Sequence, residues 1–165
     1  MSFDKQITLT EAQLQDLGIQ DAAQARKNLE LLSTGLGSGA YSALLPAILA
    51  NLSRAADPDM ALNNLERFVS ALTDLPRFVL LCTERNDILW QLITIFGASR
   101  FLSTFLVTSA DDGLTWFADL EYLAYPAGKE ALLRRLSRVI NVEADDKSFY
   151  RAMRVFRKRE MLRIG

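Results

Sequence analysis

The sequence contains no histidine. That absence removes imidazole zinc ligands, an axial haem histidine, and catalysis of the Ser-His-Asp or Cys-His kind. There is one cysteine, Cys82, so neither an internal disulfide nor a cysteine-rich zinc site is available. Cys82 sits in the apolar run Val79-Leu80-Leu81-Cys82, where cysteine acts as a small buried hydrophobe and no imidazole exists to activate it. No apolar run approaches the ~18 residues of a membrane span, because Arg, Asp or Thr interrupts the longest ones. Met1 to Thr10 mixes Asp4, Lys5 and Gln6 with apolar residues, which is not the pattern of a signal peptide. A cytoplasmic, reducing location is therefore expected, and it suits a lone thiol. Glycine is sparse. Gly35, Gly37 and Gly39 form G-x-G-x-G, but no strand-like segment precedes them and no Lys-Ser/Thr follows, so the stretch reads as a turn rather than a phosphate loop. Neither charge sign dominates: the net charge is −1, which argues against a basic nucleic-acid binder.

What is present is helical periodicity over 165 residues, half of them apolar. That length fits one domain with a sizeable core. Thr10 and Gln13 form a capping box, and Asp21 caps a helix with Ala25, Leu29 and Leu32 at i, i+4 and i+7, ended by Gly35. Leu36 to Gly39 reads as a helix–helix connection. Ala40 to Ala56 is apolar on several sides and so predicted to be buried, starting near Pro46 or kinked there. Asp57-Pro58 is a helix start, and Asp74-Leu75-Pro76 is another restart. Asn86 or Asp87 caps the next helix, which Gly97 ends, and Ser99 opens the following one. Asp111-Asp112-Gly113 and Pro126-Ala127-Gly128 read as breaks. Lys129 to Val142 is a predicted helix with Leu132, Leu136, Val139 and Ile140 inward, and Asp145 or Asp146 caps the last helix. The acidic pairs at 111–112 and 145–146 read as helix caps rather than cation ligands. Trp90, Trp116, Phe96, Phe101, Phe105 and Phe117 read as core. The expected architecture is all-α: a single helical domain, 1–165, of about eight to nine short helices in an orthogonal or bundle-like array.

The small net charge hides a split. Residues 129–165 hold 11 Lys and Arg against 5 Asp and Glu, a balance of +6, and residues 1–128 hold 8 against 15, a balance of −7. On a helical wheel of ~100° per residue, Phe149, Ala152, Met153, Phe156 and Ile164 share one face of the last helix, with Arg151, Arg154 and Lys158 opposite. Glu160 and Arg163 fall on the apolar face and Arg159 flanks it. Charges there need partners. Either Glu160 and Arg163 pair at i, i+3, or these groups meet a neighbouring surface.

The segment Phe149-Tyr150-Arg151-Ala152-Met153-Arg154-Val155-Phe156-Arg157-Lys158-Arg159-Glu160-Met161-Leu162-Arg163-Ile164 resembles a helix of the glutamine-synthetase adenylyltransferase family, bifunctional enzymes that attach AMP to glutamine synthetase and remove it. Ala61-Leu62-Asn63-Asn64-Leu65-Glu66-Arg67-Phe68, and Leu89 to Leu106 with Phe96-Gly97-x-Ser99-x-Phe101-Leu102, are similar to the helical region preceding the nucleotidyltransferase core of that family. The resemblance implies an N-terminal helical segment whose catalytic domain follows in cis, matching the half that removes AMP. It also implies glutamine synthetase and a nitrogen-signalling regulatory protein as partners. Mg²⁺ and ATP are expected for the full-length enzyme and no cofactor for this chain, because the family's Asp-x-Asp pair beside a Gly-Ser turn does not occur in it. No catalytic residue carries over. Arg157, Arg159, Glu160 and Arg163 are the candidates for domain contact or phosphate-facing support. Neither nucleic acid nor membrane is an expected partner. The alternative is a free-standing helical interaction module with a basic C-terminal helix.

Overall fold

The computed structural model describes residues 9–119, 128–139 and 145–164. Among the described residues there are ten helices and no strand, an all-α architecture. The chain forms two compact units, Met1–Ala118 and Asp119–Gly165.

Eight helices build the first unit: α1 Glu11–Asp16, α2 Ala22–Leu36, α3 Ser38–Leu52, α4 Pro58–Ala71, α5 Leu75–Glu84, α6 Asn86–Ala98, α7 Arg100–Thr108 and α8 Ala110–Ala118. Short polar side chains start most of them. The Gln13 amide donates to Thr10 Oγ1 at 3.3 Å while the Thr10 amide donates to Gln13 Oε1 at 2.9 Å, closing the capping box. Asp21, Asp57, Asp74 and Ser99 accept in the same way from Gln24, Met60, Arg77 and Leu102. Each satisfies an amide that the first helical turn leaves unpaired.

Several boundaries differ from the sequence expectation. Gly35 lies inside α2, and the chain reverses at Gly37 alone, with φ +78°. Gly35 has negative φ, while Gly37 adopts the left-handed conformation that only glycine takes without strain. Helix α3 begins at Ser38 and carries Pro46 in its interior. The carbonyl that loses its partner there belongs to exposed Ser42, which water can reach. Arg85, not Asn86 or Asp87, is the N-cap of α6, and it provides no side-chain cap. Instead its guanidinium reaches Asp87 at 2.6 Å and the Phe117 carbonyl at 3.1 Å. Gly97 does not end α6 but lies within it. A Cβ there would stand 3.1 Å from both Ala55 Cβ and the Asp57 carbonyl oxygen, so the glycine permits close approach of the α3–α4 turn. Asp111, Asp112 and Gly113 form the first turn of α8 rather than a break.

Helix α4 is the centre of this unit and packs on α2, α3, α6, α7 and α8. Its buried face is Ala61, Leu62, Leu65, Phe68 and Val69. The Phe68 ring meets Phe78 edge-on at 6.2 Å and Phe96 at 5.6 Å. Asn64 is the buried polar group on that face, and its Nδ2 donates to the Phe96 carbonyl at 3.1 Å. Of the aromatic residues expected in the core, Phe96, Phe105 and Phe117 are buried, whereas Trp90 and Phe101 are half exposed. Each lies on the solvent side of its helix, and the aromatic count alone did not reveal that.

The second unit contains α9 Lys129–Val139 and α10 Asp146–Ile164. The two helices pack on each other. Asp145 caps α10, with both carboxylate oxygens accepting from Ser148, at 2.9 Å from its amide and 3.0 Å from its hydroxyl. Helix α9 has no buried residue. Leu132 and Leu136 are half-buried and Val139 is exposed, a correction to the inward face expected from periodicity. Ile140 and the Pro126-Ala127 part of the second break lie outside the described residues.

Candidate functional site

The candidate residues sit on α10, and the structure treats them unequally. Glu160 is buried. Its carboxylate faces Arg135 of α9 at 3.5 Å, so its partner comes from the neighbouring helix. Arg159 holds Asp119 at 3.0 Å. Both pairs lie inside the second unit and pin α10 by charge. Arg157 is exposed and lines a groove. The side chain of Arg163, the i+3 partner considered for Glu160, lies outside the described residues.

That groove has a volume of about 640 Å³. Leu132 and Leu136 of α9 and Met153, Phe156 and Met161 of α10 make its apolar lining, with Tyr150, Arg154, Arg157 and Glu160. Tyr150 is 62% exposed, and Phe149 packs edge-on against it at 5.6 Å. Sequence reasoning placed Met153 and Phe156 on the apolar face but missed Arg135, Asp119 and the groove itself. The spacing of Leu132 and Leu136 was a visible signal; the cross-helix partner of Glu160 was not.

The first unit offers little reactive chemistry. Cys82 is buried, and its thiol is pushed up to about 12 by desolvation and by the charge of Asp87. It is therefore held as the unreactive thiol. Both carboxylate oxygens of Asp111 accept from Thr73, at 3.0 Å from its amide and 2.9 Å from its hydroxyl. These bonds hold the carboxyl below its ordinary value of 3.8. Asp111 thus braces the α4–α5 connection instead of capping its own helix. A cleft of about 1240 Å³ lies where α1, α2 and the α3–α4 turn meet, and Asp16, Asp21, Asp57 and Asp59 border it. Asp59 accepts from the Gln20 and Asp21 amides at 2.8 and 3.0 Å, and Asp21 and Asp57 serve as N-caps. Among the described residues no group of three or more acidic or thiol side chains is arranged to hold a metal. No described helix is long and apolar enough to cross a membrane.

Comparison with known proteins adds what the geometry alone lacks. A bifunctional glutamine synthetase adenylyltransferase/adenylyl-removing enzyme of Corynebacterium efficiens is 26% identical over 161 residues, covering 93% of this chain and 15% of that protein. The chain resembles a segment of these adenylyltransferases. Proteins of the same description from Cutibacterium acnes and Rhodopseudomonas palustris are 24% and 26% identical, over 93% and 76% of this chain. The chain spans only 13% to 16% of the length of these adenylyl-removing relatives. No family model matches the chain, and no solved structure matches it significantly.

Proposed function

We propose that this chain is a helical region of a bifunctional glutamine-synthetase adenylyltransferase/adenylyl-removing enzyme, non-catalytic in itself. The match along 93% of the chain to a small part of a much longer relative carries this reading. The basic helix fits a bracing role: Asp119 and Arg135 tie down Arg159 and Glu160. In this reading the whole enzyme works in the cytoplasm on glutamine synthetase, uses ATP and Mg²⁺, and answers to a nitrogen-signalling protein. In this reading the chain binds and positions, and the chemistry belongs to the rest of the enzyme.

The test has two parts. The isolated chain is incubated with glutamine synthetase, ATP and Mg²⁺, and separately with adenylylated glutamine synthetase and phosphate. Neither AMP transfer nor AMP release is expected. The chain is then added to the Corynebacterium efficiens enzyme lacking its matching segment, beside that segment itself as a positive control. Restored AMP release supports the reading. Activity of the isolated chain, or restoration by the control segment but not by this chain, overturns it.

A further inference from the structure

The α9–α10 groove has features that the bracing role does not use. Helix α9 is sharply amphipathic yet buries none of its residues. Tyr150 and Met161, which line the groove from α10, are large apolar side chains left substantially exposed. A soluble helix normally covers such a face. The groove also has a direction. Its α10 residues, at positions 150, 153, 154, 156, 157, 160 and 161, run along three turns of the helix, about 16 Å at 1.5 Å per residue. A trough that follows a helix this far suits another helix, which places apolar side chains at i, i+3, i+4 and i+7.

Charge selects the kind of helix. Arg154 and Arg157 line the groove and are exposed, while its one carboxylate, Glu160, is buried against Arg135. The exposed charges that line the groove, Arg154 and Arg157, are therefore cationic. A basic partner is repelled, and a neutral one leaves the arginines without complementary charge. Two copies of α10 meeting face to face would bring like charges together, which disfavours self-association through this face.

We infer that the α9–α10 groove docks an amphipathic helix of a second protein, whose apolar stripe is flanked by Asp or Glu that meet Arg154 and Arg157. The inference stands on the groove and its charge, independently of the proposed function.

The experiment uses the full chain and fluorescein-labelled helical peptides of about 18 residues, five turns. One carries Leu at i, i+3, i+4 and i+7 with flanking Glu. A second replaces Glu by Lys. A third scrambles the acidic peptide, keeping its charge. Anisotropy is expected to show saturable binding of the acidic peptide, with the scrambled and Lys peptides at least about tenfold weaker. The Arg154→Glu/Arg157→Glu variant, its helicity checked by circular dichroism, is expected to reverse the preference toward the Lys peptide. Met153→Asp, which places a charge in the apolar lining, is expected to abolish binding of both. Equal binding of the scrambled peptide would show general attraction to a basic surface and overturn the inference. So would unchanged binding by the double charge variant, or no saturation by any peptide below about 1 mM. Concentration-dependent dimerisation lost on Met153→Asp would assign the groove to a second copy. Binding to phosphatidylserine vesicles with no peptide selectivity would assign it to an anionic lipid surface. Displacement of the peptide by the segment-deleted Corynebacterium efficiens enzyme would assign the groove to the enzyme's own remainder. Each of these three results would overturn the second-protein assignment, and only the last would also support the proposed function.

Discussion

The two units of this molecule are both helical, and they are held together differently. The first contains nearly all of the buried apolar side chains; in the second, Leu162 is the only one among the described residues. The other buried side chain among the described residues of the second unit is a carboxylate, Glu160. Composition explains the contrast. Residues 1–118 supply long runs of Leu, Ile, Phe and Ala that interlock around α4, whereas α9 and α10 alternate apolar residues with Arg and Lys. Burial of apolar area is the dominant stabilising contribution in the first unit. In the second, capping and charge pairs contribute a larger share, and its apolar residues remain available for contact.

The largest test of that contrast is a truncation in each unit. Phe68→Ala removes a fully buried ring that touches Phe78 and Phe96, and urea unfolding is expected to show a loss of about 3–5 kcal/mol. Phe156 is half-buried, so Phe156→Ala should cost about 1–1.5 kcal/mol. Equal losses would mean that the second unit has a core of the same quality, and the contrast would fail.

A smaller effect is expected from Glu160→Ala. Arg135 retains 24% side-chain exposure while Glu160 retains 8%, so water screens the cation left behind. The cost should be about 1–2 kcal/mol, below the 3–5 of a fully buried pair. The readout is lost helical circular dichroism without any rise in Cys82 labelling, since Cys82 belongs to the first unit and is reactive only when that unit opens. A matching rise in labelling would show that the two units unfold together.

Two glycines sharpen the picture within the first unit. Gly97→Ala pushes a methyl group toward the Asp57 carbonyl at 3.1 Å. The Asp57 carbonyl or the Ala55 methyl must shift by a few tenths of an ångström to admit it, so a destabilisation of about 1–2 kcal/mol is expected. Gly35 is helical with nothing near its missing Cβ, and Gly35→Ala should stabilise by about 0.4–1 kcal/mol. Thermal melts of the two variants should move in opposite directions.

The smallest effects are acid-dependent, and each unit supplies one. Thr73 lowers the carboxyl of Asp111, and Ser148 lowers that of Asp145. A carboxyl depressed in the folded state contributes its full stability above the unfolded value, and that contribution is lost as pH falls through the folded value. Between about pH 5 and pH 2, Asp111→Asn and Asp145→Asn should therefore flatten the fall in stability relative to wild type. Asp111→Asn should act on the first unit, read by Cys82 labelling, and Asp145→Asn on α10, read by helicity. Unchanged acid profiles would show that neither carboxyl is coupled to folding.

Much of the local structure was legible from short-range chemistry. Thr10, Asp21, Asp57, Asp74 and Ser99 cap the helices they precede, because an N-cap bond spans only three residues and needs no tertiary partner. The all-α class follows from the same periodicity, and the resemblance to the adenylyl-removing enzymes was carried by the motif of α10. Contacts across long sequence separations were not legible. Gly97 and the Asp111-Asp112-Gly113 run read as helix breakers, yet one permits an approach by residues about forty positions earlier and the other braces Thr73. Glu160 stood out as a charge on an apolar face, but Arg135 as its partner depends on how α9 lies against α10. Sequence by itself determined where helices begin and which faces are apolar, since those depend on neighbours within a turn or two. Only the tertiary structure decided which apolar faces are covered, which glycines are needed and which charges meet, because these depend on distances between elements far apart in the chain.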